Sequence, residues 1–205
     1  MNSMIIGLAL VAVGVAAAAQ GQDRMPPIPA DKLTDVQKKA IAEFKAARSA
    51  DISGPFVPML RSPEVMNRAR ALGDYLRYKS ALPPRLSEFV ILMAARRWNQ
   101  QYEWNAHQPL AIKGGLSADI VKAIADGRRP DRMAGDEDVV YTLWDEVQRN
   151  SVSDATYARA VQRWGEHGVV ELTSLVGYFQ LVSLVLNVAR IPEEPNPAVQ
   201  PLEPL

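Results

Sequence analysis

Leu86–Gly115, LSEFVILMAARRWNQQYEWNAHQPLAIKGG, is the stretch from which the rest of the chain is read. From Leu86 to Ala95 the residues are apolar on every face rather than along one stripe, which predicts a helix buried on most sides. Glu88 sits inside that run and is therefore expected in the interior. A buried carboxylate must be paired, hydrogen-bonded or protonated, because an isolated charge in a dry environment costs several kcal/mol or a large pKa shift. The sequence offers Arg85 and Arg96 as partners for a structural ion pair, and His107 as a partner for a functional one. A kink or short break is expected near Asn99.

Gln100, Glu103 and His107 follow at spacings of three and four, which places them on one face of one helix. Glu103 and His107 can touch across a single turn. Counting from Glu88, Gln100 is 12 residues on, Glu103 is 15 and His107 is 19. This frame resembles the carboxymuconolactone decarboxylase and alkylhydroperoxidase D-like superfamily, whose peroxidase branch carries Glu, eleven residues, Cys, two residues, Cys, three residues and His. Here Glu88 and His107 match, while Gln100 and Glu103 stand where the two cysteines would be. The run Tyr102-Glu103-Trp104, then His107 with Pro109, Leu110 and Ala111, and Gly115-Leu116-Ser117, looks like the decarboxylase-like branch. The likeness is specific over residues 84–127 and looser over residues 54–190.

The resemblance implies an alkylhydroperoxidase D-like helical fold, assembly into trimers or hexamers, and decarboxylation of a small carboxylated lactone or related ring without a cofactor. That chemistry needs a cation to place the carboxylate, an electron sink in the substrate and a proton donor for the carbanion or enolate. His107 is the natural acid, with Glu88 and Glu103 setting its protonation. Arg85, Arg96 or Arg97 would hold the carboxylate, and Gln100 would donate to a substrate oxygen. Tyr102, Trp98 and Trp104 suit a pocket for a flat ligand. Each has a plainer reading beside it: an interhelical ion pair for Glu88 and His107, an exposed helix pair for Glu103, and core packing for the aromatics. No metal site is expected, since a single histidine with two carboxylates lacks a usual ligand set.

Composition removes several function classes. The chain of 205 residues has 23 basic and 23 acidic side chains, so its formal charge is zero and it carries no electrostatic footprint for nucleic acid. It has no cysteine, which excludes thiol nucleophiles, disulfides and thiol-dependent peroxide reduction. No glycine-rich nucleotide loop, His-Glu-x-x-His or nucleophile elbow occurs, and no cofactor is expected. Two other readings stand beside the decarboxylase: an exported small-molecule-binding or accessory protein without turnover, and a peroxidase-like protein lacking its thiols.

Residues 1–19, with an apolar or small run from Met4 to Ala19 and an Ala17-x-Ala19 sequence, read as a signal peptide, although the leader lacks Lys or Arg. A periplasmic or secreted location follows, with the cytoplasm as the alternative. Residues 20–53 read as an extension with one helix, entered through a Thr34–Gln37 capping box. Residues 54–190 read as the main helical domain. Ser62-Pro63-Glu64, Pro84, Ser117 and Ser153 are helix starts, and a last helix from Val169 to Arg190 follows Gly168. Glu171, Thr173, Gln180 and Asn187 make that helix a core or subunit-interface element rather than a membrane span. Residues 191–205 form a Pro-rich tail, extended or wrapped on a neighbouring subunit. The fold expected is all-α, a single-domain bundle of about seven helices, forming a homo-oligomer with no stable membrane span once the leader is removed.

Overall fold

The computed structural model describes residues 23–192 and 196–204. The leader read over residues 1–19 lies outside them, as do residues 193–195 of the tail. Among the described residues the protein is all-helical, with no strand. After a 3-10 turn at Ala30–Lys32 come α1 (Asp35–Arg48), α2 (Phe56–Met59), α3 (Pro63–Tyr78), α4 (Pro84–Arg97), α5 (Gln101–Lys113), α6 (Ala118–Ala125), α7 (Gly135–Gln148) and α8 (Asp154–Ala189). The four-residue α2 is the element beyond the seven expected; Pro55 and Pro58 hold φ near the helical value there, so one turn closes where the sequence suggested only an apolar plug.

Local signals account for most of the boundaries. Thr34 Oγ1 accepts from the Gln37 amide at 3.3 Å and Gln37 Oε1 accepts from the Thr34 amide at 3.0 Å, closing the capping box of α1. Ser117 and Ser153 cap α6 and α8 by accepting from Ile120 and Thr156. Pro84 opens α4, where its missing N–H costs nothing. Asn99 adopts a positive φ of 47°, a conformation that Asn tolerates better than most residues, and this breaks the chain between α4 and α5.

α4 is the central element and packs against α3, α5, α6, α7 and α8. Every residue from Leu86 to Arg96 is buried. Each fully buried side chain among Phe89, Val90, Ile91 and Leu92 stabilises the fold by about 1.5–3 kcal/mol relative to exposure. α8 covers one side of α4 and is interrupted at Gly165, whose φ of 68° and ψ of 174° no side chain adopts cheaply. The break falls three residues before Gly168, the position expected to separate two helices. Gly168 instead continues the helix. By length and composition α8 is apolar enough to cross a membrane, and half of its apolar window is packed inside the protein.

The tail folds back on its own chain. Val199 and Leu202 are buried, Trp104 Nε1 donates to the Gln200 carbonyl at 3.1 Å, and the Leu202 amide donates to Gln101 Oε1 at 2.7 Å. Arg96 reaches the Glu203 carbonyl at 2.7 Å. Residues 196–204 therefore seal the α4–α5 corner. Trp104, expected to line a ligand pocket, is instead a buried anchor for this tail.

Close approach of α3 and α8 depends on Gly73, where an added Cβ would come within 2.3 Å of the Tyr178 hydroxyl oxygen. Tyr178 is 5% exposed and has little room to move. Gly73→Ala is expected to lower stability in urea unfolding by about 1–3 kcal/mol through overpacking. Gly177→Ala, with nothing within 4 Å of the new methyl group, is expected to stabilise by about 0.5–1 kcal/mol through helix propensity.

Candidate functional site

Three helices bring four ionisable side chains into one line. Glu88 faces α5 from the middle of α4, and His107 lies two turns into α5, so the break at Asn99 folds the second helix back alongside the first. His107 Nδ1 and Glu88 Oε2 are 2.6 Å apart, and both side chains are about nine-tenths buried. On the other ring edge, His107 Nε2 is 3.5 Å from Glu103 Oε2, one turn back on the same helix. At the far end, Arg77 of α3 donates through an η nitrogen to Glu88 Oε1 at 3.2 Å. The sequence is thus Arg77, Glu88, His107, Glu103. The edge of the Phe179 ring from α8 closes one side of the imidazole at 5.6 Å between centroids.

The two carboxylates differ in environment. Burial raises the Glu88 carboxyl, but the hydrogen bond and charge of His107 and the charge of Arg77 outweigh it, so the group is held below its ordinary range and is ionised. Glu103 is pushed above its ordinary range, chiefly by burial and further by the charge of Glu88, against the opposing pull of His107 and Arg77. Both ring nitrogens of His107 therefore have a carboxylate beside them, at 2.6 Å on Nδ1 and at 3.5 Å on Nε2. The arrangement can hold a proton in a dry interior and move it along the ring.

The spacing of Glu88 and His107 read from the sequence is realised as a direct contact, and Glu103 joins it. The other candidate side chains have partners of their own. The arginine on Glu88 is Arg77, not Arg85 or Arg96. Arg85 is committed to Asp136 at 2.6 Å and to Glu137, which ties α4 to α7. Arg96 bonds Asn99 and the tail, and Arg97 lies 5.4 Å from the Trp98 ring centroid. Gln100 caps α5 by accepting from the Tyr102 amide and donates to Asn187 at 2.7 Å, so both ends of its amide serve the fold. Tyr102 packs beside Gly54 and lines a surface cavity with Asn105, Ala106 and Asn196.

Arg77 escaped sequence reasoning because nothing in its own helix marks it; only the pairing of α3 with α4 brings it to Glu88. It is the most exposed member of the line, with 18% of its side chain accessible. Its Nε–H is buried and has no acceptor. Among the described residues no three His, Cys, Asp or Glu side chains are arranged to hold a metal ion. Comparison with family models and with curated proteins finds no match to this chain.

These shifts predict opposite pH responses. Stability from the lowered Glu88 is present above the ordinary carboxylate value of 4.5 and is lost as pH falls through that value and the lower folded one. The raised Glu103 binds its proton more tightly when folded, so its term is full in acid and declines as pH rises from 4.5 through the folded value. Glu103→Gln should flatten the alkaline decline in urea-unfolding stability. Glu88→Gln should lower stability at neutral pH by about 3–5 kcal/mol, because Arg77 and His107 lose the buried charge between them.

Proposed function

We propose that this chain is a cofactor-independent lyase of the carboxymuconolactone decarboxylase-like type, acting on a small carboxylated lactone or ring compound. The observation that carries the reading is the Arg77–Glu88–His107–Glu103 line, in which an imidazole is held between two buried carboxylates with a guanidinium at one end. Arg77 takes the role for which Arg85 and Arg96 were candidates: one η nitrogen holds Glu88, and the guanidinium, the most accessible group of the line, is the cation nearest His107 for a substrate carboxylate. In the proposed step the bond between the ring carbon and the carboxylate breaks, CO2 leaves, and the electron pair passes into the substrate carbonyl as an enolate. His107 supplies the proton that the carbon then accepts. In this proposal Glu103, whose carboxyl burial holds above its ordinary range, relays a proton to Nε2 and takes its own from solvent, so that one proton is consumed for each CO2 released. An exported location is part of this proposal and rests on the apolar leader.

A second reading, a small-molecule-binding protein without turnover, is favoured by the near-complete burial of His107 and Glu103. Incubation with a panel of carboxylated lactones and aromatic acids separates the two: CO2 release supports the lyase, whereas a ligand that raises Tm and is recovered unchanged supports the binding protein. Thiol-dependent peroxidase turnover is not available to a chain without cysteine.

His107→Gln is expected to remain folded and to lose about a hundredfold or more in kcat on any substrate so found. Glu88→Gln should act similarly, and the double variant should be little worse than either, because the groups work as one unit. Independent, multiplicative losses in kcat would refute that coupling.

A homo-oligomer is also part of the proposal. Val170, Ser174, Gly177, Leu181, Leu184 and Val188 recur along α8 in steps of four and three, the seam pattern of helix pairs. Val170, Leu181, Leu184 and Val188 are exposed, and none of the described residues covers their stripe. A second copy presents the same self-complementary stripe, and a chain of zero net charge sets no long-range repulsion against it. Light scattering at micromolar concentration should find an oligomer, and Leu181→Glu with Leu184→Glu should reduce it to a monomer. A parent protein that is already monomeric overturns this assembly.

A further inference from the structure

α4 carries a second cluster of polar groups on another face. Met93, Arg96 and Arg97 follow Glu88 by five, eight and nine residues, about 7–13 Å further along the helix axis. There they meet Ile124 of α6, the Gly127–Arg128 loop, and Tyr141 and Trp144 of α7 around a cavity of about 140 Å³. The walls are largely apolar, and three arginines, Arg96, Arg97 and Arg128, are among the lining residues. No residue of the Arg77–Glu88–His107–Glu103 line contributes to it.

The charges at this cavity are unequally satisfied. Arg128 is paired with Asp126 at 3.3 Å and approaches Asp131. Arg96 is 5% exposed, and among the described residues no carboxylate lies within ion-pair distance of it. Its two acceptors, Asn99 Oδ1 and the Glu203 carbonyl, are neutral and bond the same η nitrogen, while its Nε–H has none. Asp126, whose charge reaches Arg96, is already bound by Lys122 and Arg128. Arg97, at the surface, has a neighbouring ring but no acid. Trp144 Nε1–H is likewise buried without an acceptor. Buried charges are normally paired, and buried donors are normally satisfied. Here a buried cation and an orphaned indole donor border one small apolar cavity.

We propose that this cavity binds a small monocarboxylate with an apolar body. The planar guanidinium fork matches a carboxylate, and Met93, Ile124, Tyr141 and Trp144 offer the surface on which a short aliphatic chain or single ring is buried. The volume is too small for a nucleotide. One bound anion supplies both the missing counter-charge of Arg96 and an acceptor for Trp144. This site is independent of the acid–base line and does not depend on the lyase reading.

The test uses benzoate and its neutral counterpart benzamide, titrated into the full-length protein by calorimetry. Benzoate is expected to bind, and benzamide to bind about tenfold more weakly or not at all, since it lacks the charge that Arg96 needs. Arg96→Gln should weaken benzoate by about tenfold or more. Because loss of Arg96 also removes a tail contact, Ile124→Phe, which fills the cavity and keeps every charge, serves as the second variant and should abolish binding. Absence of benzoate binding at about millimolar concentration, equal affinity for the amide, or undiminished binding in Ile124→Phe overturns the proposal.

Discussion

The contact between Glu88 and His107 is the constraint to which the surrounding helices answer. A carboxylate placed in a helix buried without a break from Leu86 to Arg96 would be a large penalty on its own. It is tolerated because α5 returns alongside α4 and brings an imidazole to 2.6 Å, and because α3 supplies Arg77 from the other side. That requirement fixes the relative position of three helices more narrowly than apolar packing does, since hydrophobic contact is non-directional and a hydrogen-bonded ion pair is not. The turn at Asn99 and the capping by Gln100 follow from it: a shallower or longer connection would carry His107 past its partner.

What was legible in the sequence, and what was not, divides along the same physical line. Periodicity and caps report on one helix at a time, so the burial of Glu88, the break near Asn99, the capping box at Thr34 and the face shared by Glu103 and His107 could all be read directly. The Glu88–His107 pairing came from the spacing of a resembling family. Pairing between elements distant in sequence left no such mark. Arg77 precedes Glu88 by eleven residues on a different helix and looks like any basic side chain near a helix end. Arg85 and Arg96, closer in sequence to Glu88, are held instead by Asp136 and Glu137 of α7 and by the tail. The tail itself, rich in proline, showed its extended form but not the groove that receives it.

α4 serves as a shared wall. One face carries a carboxylate paired with Arg77 and His107, and another carries Arg96, which has no carboxylate at ion-pair distance among the described residues. The two faces differ in what surrounds them: α3 and α5 contribute charged side chains to the first and α8 the Phe179 ring, whereas α6 and α7 contribute mainly apolar ones to the second. A helix buried on nearly all sides is stiff, so a shift imposed at one face is passed to the other rather than absorbed by solvent-facing side chains.

The seal at the α4–α5 corner also bears on biosynthesis. Arg96 and the Glu203 carbonyl are separated by 107 positions, and Trp104 and Gln200 by 96. Contacts between such distant partners carry a large loop-closure cost and form late. As the polypeptide leaves the ribosome, α4 and α5 can pair well before residues 196–204 emerge, leaving the Trp104 indole and the Leu202 groove uncovered for that interval. The nascent protein therefore passes through a stage in which its central helices are assembled but one corner exposes sticky surface, and a chaperone that shields apolar side chains would find its landing place there.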